Sequence, residues 1–178
     1  MKKTLLVATL VAAAFAGTAQ ANVKWDYVGA GYTDAGGDGP YVEGSYRLDG
    51  NWVVDGTFSR LSSGPFDVNL LQAGVNYLTG FKLDFSPTTQ TYLLAGIEHA
   101  SGDADDTGGY AGVGLRHPLT PQVELYSEAT YHSIGDDHGS LAGGIAFYLS
   151  PDWAIRSNIA LNSGDTKNEF RFGVSYQF

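Results

Sequence analysis

Three aspartates near the middle of the chain have the spacing of a cation-binding loop. Asp103, Asp105 and Asp106 lie in the stretch S-G-D-A-D-D-T-G-G, and Ca²⁺ prefers several oxygen ligands of this kind. The stretch lacks the longer ligand spacing and the closing glutamate of a helix–loop–helix calcium site. Because acidic runs are usually solvated, we predict no metal site and keep these aspartates as candidates to be checked.

A second polar group combines histidine with aspartate: His132, Asp136, Asp137 and His138, with His99 on another segment. An Asp–His pair can activate a water molecule, and a serine held by a histidine can act as a nucleophile. Ser133 directly follows His132, however, so on a strand the two side chains point to opposite faces. Polar residues at a solvated strand end explain the group more simply, and we predict no catalytic residue and no cofactor.

The rest of the chain alternates apolar and polar residues with a period of two, which is typical of strands with one apolar face. Glycine is abundant (24 residues) and 13% of residues are aromatic, a combination that β-rich chains with tight turns share. The pattern predicts an all-β fold in one domain. Ten segments follow it: 23–33, 41–48, 52–61, 66–78, 89–100, 109–117, 122–133, 140–149, 153–162 and 168–178.

The last segment has the clearest alternation. Its apolar face consists of Phe170, Phe172, Val174, Tyr176 and Phe178. This pattern resembles the C-terminal signature of bacterial outer-membrane barrels, which the barrel-assembly machinery recognises. The resemblance implies that the apolar face meets lipid, and that the fold is a transmembrane antiparallel up-and-down β-barrel.

Charged residues indicate which face of each strand points inward. An arginine that faces lipid at mid-bilayer costs about 2–4 kcal/mol, so the arginines of these strands should face the interior. Six carboxylates then fall on the same faces without adjustment, and the apolar partners face outward. We therefore predict a lumen charge network of ten residues: Glu43, Arg47, Asp55, Glu98, Arg116, Glu124, Glu128, Arg156, Glu169 and Arg171.

The connections between the predicted strands alternate in character. One set consists of short turns at 49–51, 118–121 and 150–152 with a longer member at 79–88; the other is acidic, at 34–39, 62–65, 102–108, 134–138 and 163–167. Short turns belong on the periplasmic side of such barrels. We expect ten strands, with eight as the alternative. Two aromatic belts fit this orientation. One lies toward the inner membrane interface: Trp25, Tyr46, Trp52, Tyr77, Trp153 and Tyr176. The other lies toward the outer interface: Tyr32, Tyr41, Phe58, Phe66, Tyr131 and Phe170.

The N-terminal residues have the pattern of a secretory signal peptide. Two lysines precede an apolar run (5–16), and A-Q-A at 19–21 is a suitable cleavage site. The run is shorter than the ~20 residues of a spanning helix. We predict that residues 1–21 are removed and that residues 22–178 form the barrel domain. That domain has 8 cationic and 19 acidic side chains, a net charge of −11, which argues against a nucleic-acid partner.

Four motifs are built from strands and turns: W-D-Y-V-G-A-G-Y (25–32), L-L-Q-A-G-V-N-Y (70–77), L-T-P-Q-V-E-L-Y (119–126) and L-S-P-D-W-A-I (149–155). They resemble the family named sulfation-dependent quorum factor of plant-associated bacteria. Its name implies signalling, but its members look like barrel proteins, so the resemblance implies the fold and transfers no functional residue. The Asp and His residues at 132–138 also resemble the water-activating groups of outer-membrane aspartyl-type proteases, whose barrels are longer and build a cleft that these short loops do not.

The predicted width of the barrel interior limits the functions that the protein can have. Barrels of about eight strands are filled by their own side chains, and aqueous channels occur nearer sixteen strands. Ten strands with a mixed acid–base interior favour a largely plugged barrel that has a structural or surface-interaction role. A narrow, porin-like pore for small solutes or ions is the alternative, and a protease-like enzyme is a remote one. We expect a monomer that contacts outer-membrane lipid and lipopolysaccharide and binds no nucleic acid.

Overall fold

The computed structural model describes residues 23–81, 86–103 and 105–178. The predicted signal peptide (residues 1–21) lies outside the described residues. Each strand is hydrogen-bonded antiparallel to the next and β1 pairs with β10, so the ten-strand up-and-down barrel is confirmed and the eight-strand alternative is wrong. The described strands are β1 (Tyr27–Asp34), β2 (Asp38–Arg47), β3 (Trp52–Ser63), β4 (Phe66–Leu78), β5 (Gln90–Gly102), β6 (Asp106–Thr120), β7 (Val123–His132), β8 (His138–Tyr148), β9 (Trp153–Asn162) and β10 (Glu169–Gln177).

The seam between the first and last strands is regular. Pairing runs in continuous register from Tyr27 opposite Gln177 to Asp34 opposite Phe170. The register shifts between Pro118 and Thr120, where β6 meets β7, and proline cannot donate a ladder hydrogen bond there. In the described ranges, no helix is long and apolar enough to cross a membrane.

The outward faces of all ten strands carry exposed apolar side chains. Phe170, Phe172, Val174 and Tyr176 follow this pattern on β10. Ten of the twelve predicted belt aromatics face outward in the same way. The other two assignments are wrong: Trp25 and Tyr41 are buried in the interior, because Trp25 precedes β1 and Tyr41 shares the inward phase of Glu43.

Residues 23–26 turn into the barrel end that carries the short turns, called the turn end below; the opposite end is the loop end. The first strand therefore begins at Tyr27, and the predicted start at residue 23 is wrong. The Trp25 ring packs edge-on against Tyr92 with 5.2 Å between ring centroids, and its Nε1 donates to Gln90 Oε1 at 2.8 Å. A buried apolar group, the Trp25 cluster, occupies the turn end: Val23, Trp25, Val53, Leu78, Tyr92 and Leu94.

Inward tyrosines lie across inward glycines on the neighbouring strand. Tyr126 is paired with Gly144 in the β7–β8 register, and its hydroxyl passes over β8 to donate to Ser157 O on β9 at 3.1 Å. A β-carbon at Gly144 would lie 2.2 Å from Tyr126 Cζ. Glycine thus provides the space that lets a ring lie flat against the wall. The same directly paired arrangement holds for Tyr41 on Gly31, Tyr92 on Gly114 and Tyr110 on Gly96.

Replacing Gly144 by alanine tests this packing. We expect Gly144→Ala to lower the free energy of unfolding by about 1–3 kcal/mol, because the new methyl group displaces the Tyr126 ring. Gly143→Ala is the matched control on the same strand, since its β-carbon meets nothing nearer than Tyr126 O at 4.0 Å. Urea unfolding of the barrel in phospholipid vesicles measures both variants. Equal stability of the two variants would contradict the packing argument.

Candidate functional site in the barrel lumen

The Asp–His group at the loop end does not form a water-activating pair. His132 Nδ1 is hydrogen-bonded to Glu98 Oε1 at 2.9 Å, and its Nε2 is hydrogen-bonded to Thr130 Oγ1 at 2.9 Å. Asp137 accepts the hydroxyl of Tyr131, a residue of the outward face. His138 stacks on the His132 ring with centroids 5.0 Å apart. The group is therefore held by hydrogen bonds and stacking among its own neighbours.

The other candidate reactive residues, His99 and Ser133, are also held apart, each by hydrogen bonds to its own neighbours. His99 contacts Thr107 Oγ1 at 2.8 Å, and Ser133 Oγ is engaged with the backbone of Gly109. Asp106 accepts the backbone N–H of Gly135 at 2.5 Å and that of Thr107 at 2.8 Å. These contacts fix a loop conformation and use the oxygens that a nucleophile or a metal would need.

The acidic loop residues do not converge on a cation. Asp103 Oδ2 accepts the backbone N–H of Asp67 at 2.7 Å, which directs it toward β4, while Asp106 is turned toward the β7–β8 loop. No group of three or more His, Asp or Glu side chains in the described part of the chain is arranged to hold a metal ion. Asp103 and Asp106 accept backbone hydrogen bonds that hold the loops.

The lumen at the turn end is closed by a buried ion pair beside the Trp25 cluster. Arg116 Nε donates to Glu124 Oε1 at 2.6 Å, and the side chains are only 5% and 2% exposed. Tyr148 donates its hydroxyl to the other oxygen of Glu124 at 3.0 Å. The Arg116 guanidinium also lies 4.3 Å above the Trp25 ring. The two charges are thus paired in an almost fully buried site.

The loop end has a second layer of ionic contacts that stays open to solvent. Arg171 pairs with Glu169 and reaches across the lumen to Gln72 Oε1 on β4 at 3.4 Å. Gln72 in turn donates to Glu98 at 3.0 Å. His132, Arg171 and Glu169 in this layer are 15–19% exposed, whereas Glu98 is 2% exposed, as buried as the turn-end pair at 2–5%. Water therefore reaches the outer side chains of this layer but not Glu98.

Between the two layers lies a polar cavity of about 210 Å³, which we call the mid-lumen cavity. Glu43, Asp55 and Glu128 face it, together with Arg156. Arg156 donates to Ser175 Oγ at 3.0 Å and lies 3.8 Å above the Tyr27 ring. Nine of the ten predicted network residues lie in these three levels. The tenth, Arg47, is near the turn end, where its backbone N–H donates to Asp26.

Several residues that line the lumen were not predicted from the sequence. Trp25 and the tyrosines at 92, 110 and 126 define the shape of the mid-lumen cavity, yet none belongs to the charge pattern. An inward glycine facing an inward tyrosine is the signal that could have revealed the tyrosines. That signal requires the strand register, which one sequence does not supply.

The closed barrel, the apolar outer face and the polar lumen define a transmembrane barrel of the outer-membrane class. The chain belongs to the outer membrane protein beta-barrel domain family, whose pattern matches residues 4–178, and this membership places it in the outer membrane. No curated protein matches the sequence.

Two solved structures show the same fold at low sequence identity. A KdgM porin is 10% identical with a TM-score of 0.55, and the match covers 85% of this chain and 99% of that one. A KdgM porin in complex with disordered oligogalacturonate is 10% identical with a TM-score of 0.53 and the same coverage. At this identity the likeness is one of fold.

Breaking the turn-end ion pair tests its role in the lumen. We expect Arg116→Met to lower the free energy of unfolding by about 3–5 kcal/mol, because Glu124 is left as a buried, unpaired charge. Adding Glu124→Gln should recover part of the loss, since glutamine is neutral and can still accept the Tyr148 hydroxyl. Urea unfolding in vesicles compares both with Arg60→Met, which breaks an exposed pair and should change stability little. A double variant no more stable than Arg116→Met would count against the pair.

Proposed function

We propose that the protein is a narrow outer-membrane pore for small polar solutes or ions, closed at its turn end in the conformation described here. The observation that carries this proposal is the mid-lumen cavity, which extends from Trp25 and Leu94 at one end to His132 and Glu169 at the other. A polar path along the barrel axis is the feature that a pore needs and that a structural anchor does not. Porins among the solved structures of the same fold support this choice.

The cavity limits what could pass. Its volume of about 210 Å³ corresponds to roughly seven water molecules, because a water molecule takes up about 30 Å³ in the liquid. The oligogalacturonate bound by the second porin is an acidic oligomer, and a cavity of this size with carboxylates on its wall suits neither its length nor its charge. We therefore assign the pore to single small solutes.

The Trp25 cluster is the gate in this proposal. Trp25 precedes β1 and has no place in the β-ladder, so moving it breaks no strand pairing. Its contacts are apolar packing, one hydrogen bond to Gln90 and the stack with Arg116. Removing the Trp25 ring would widen the turn end of the mid-lumen cavity beside Tyr92 and Arg116.

A plugged barrel with a structural or surface-interaction role is the second candidate. The Trp25 cluster and the buried Arg116–Glu124 pair favour it, since both make the turn end tight. In that case the acidic loops would make the contacts, with lipopolysaccharide as the expected neighbour through bridging divalent ions. Under either candidate we infer that the protein is not an enzyme, which agrees with the porins that share its fold.

We also propose how the protein reaches the membrane and what it contacts there. We infer export through a signal peptide that is cleaved after residue 21, and recognition of the β10 aromatic face by the barrel-assembly machinery. The exposed apolar band on every strand supports direct contact with lipid and a monomeric barrel. Membership of the sulfation-dependent quorum factor family remains a resemblance of motifs, and we propose no signalling role from it.

Single-channel recording of the purified full chain in planar bilayers tests the pore. We expect small openings for the wild type and a conductance at least about threefold larger for Trp25→Ala, because the bulkiest group at the turn end is gone. Trp153→Ala is the matched control, since Trp153 faces outward at the same end of the barrel. Silent bilayers with both wild type and Trp25→Ala, from samples that show the heat-dependent gel shift of a folded barrel, would favour the plugged barrel.

A further inference from the structure

Three carboxylates in the mid-lumen cavity have no cationic partner among the described residues. Glu43, Asp55 and Glu128 all line the cavity, and none takes part in a salt bridge within 4.0 Å. Asp55 accepts one hydrogen bond from Asn76, and Glu128 accepts one from Tyr92 at 2.6 Å. Each carboxylate therefore keeps oxygen lone pairs that face the cavity.

Two of the three arginines that line the cavity are paired with other carboxylates. Arg116 is paired with Glu124 at the turn end, and Arg171 with Glu169 at the loop end. Arg156 is the remaining guanidinium on the cavity wall, and Ser175 and the Tyr27 ring hold it. Three unpaired carboxylates against one unpaired guanidinium leave the cavity with a negative charge. Buried charges in proteins are normally paired or bound to an ion.

A second observation points to a ligand in the same cavity. Ser45 lines it and is only 5% exposed, yet its Oγ has no hydrogen-bond partner in the described structure. Ser45 lies directly opposite Asp55 in the β2–β3 register. Buried polar atoms are almost always satisfied, so an unsatisfied oxygen beside the Asp55 carboxylate indicates a missing donor.

We propose that the mid-lumen cavity binds a small organic cation, a primary ammonium group, among Glu43, Asp55 and Glu128, and that the negative charge of these side chains makes the pore cation-selective. The ammonium group supplies the positive charge that these carboxylates lack, and Ser45 Oγ beside Asp55 is a further acceptor for its N–H groups. The tyrosine rings at 110 and 126 also line the cavity and can stabilise an ammonium group through cation–π contact. The selectivity part of this inference rests on the proposed pore, whereas the binding part does not.

Reversal potentials across a KCl gradient test the selectivity. The wild-type full chain and Trp25→Ala should both favour K⁺ over Cl⁻. Glu43→Gln, Asp55→Asn and Glu128→Gln should each lower the K⁺/Cl⁻ permeability ratio by about threefold or more, because each removes a full charge from the ion path. Asp165→Asn is the matched control, since it removes the same charge from an exposed loop. A wild-type ratio at or below one, or a ratio unchanged in all three lumen variants, overturns the proposal.

Binding is measured separately, without any current. The folded full chain, labelled with ¹³C on its tyrosine rings, is titrated in detergent micelles with methylammonium chloride. A saturable shift of ring resonances that Glu43→Gln weakens and Asp165→Asn preserves supports the site, even if every bilayer is silent and the pore itself is rejected. A wild-type spectrum with no saturable shift overturns the site, even if the barrel conducts.

Discussion

The closed ladder of backbone hydrogen bonds is the constraint on which the rest of the structure depends. Lipid offers no partner to an N–H or C=O group, so every strand must be paired and the first must meet the last. The β1–β10 seam meets this requirement in continuous register. Once ten strands are closed, the bore is set by their number and tilt, and the side chains inside must share a narrow space whatever their chemistry.

The interior adapts to that space in two ways. Large rings are accommodated by removing the side chain opposite them, as in the four tyrosine–glycine pairs. Polarity is then graded along the axis, from the Trp25 cluster and a dry ion pair at the turn end to a wet layer around Arg171. The mid-lumen cavity is what remains between a sealed end and an open one.

The period-two pattern and the position of a few arginines were sufficient to predict the strand number and the inward faces, because an arginine facing lipid is costly. The pattern could not reveal Trp25, since a residue before the first strand is free of its alternation. It also assigned Tyr41 to a belt on the strength of its ring, although its phase with Glu43 pointed inward. Partners such as Gln72 for Arg171 lie 99 positions apart in sequence, and only the closed register brings them together.

The inward turn of residues 23–26 has a consequence for how the barrel is assembled. Trp25 contacts Val53 on β3, Tyr92 on β5 and Arg116 on β6, strands that are not ladder neighbours of β1. These contacts span the concave side of the sheet, so they can form only when the first six strands have already curled. In the closed barrel Trp25 therefore links the chain just before β1 to strands across the lumen, in addition to the ladder that joins β1 to β10.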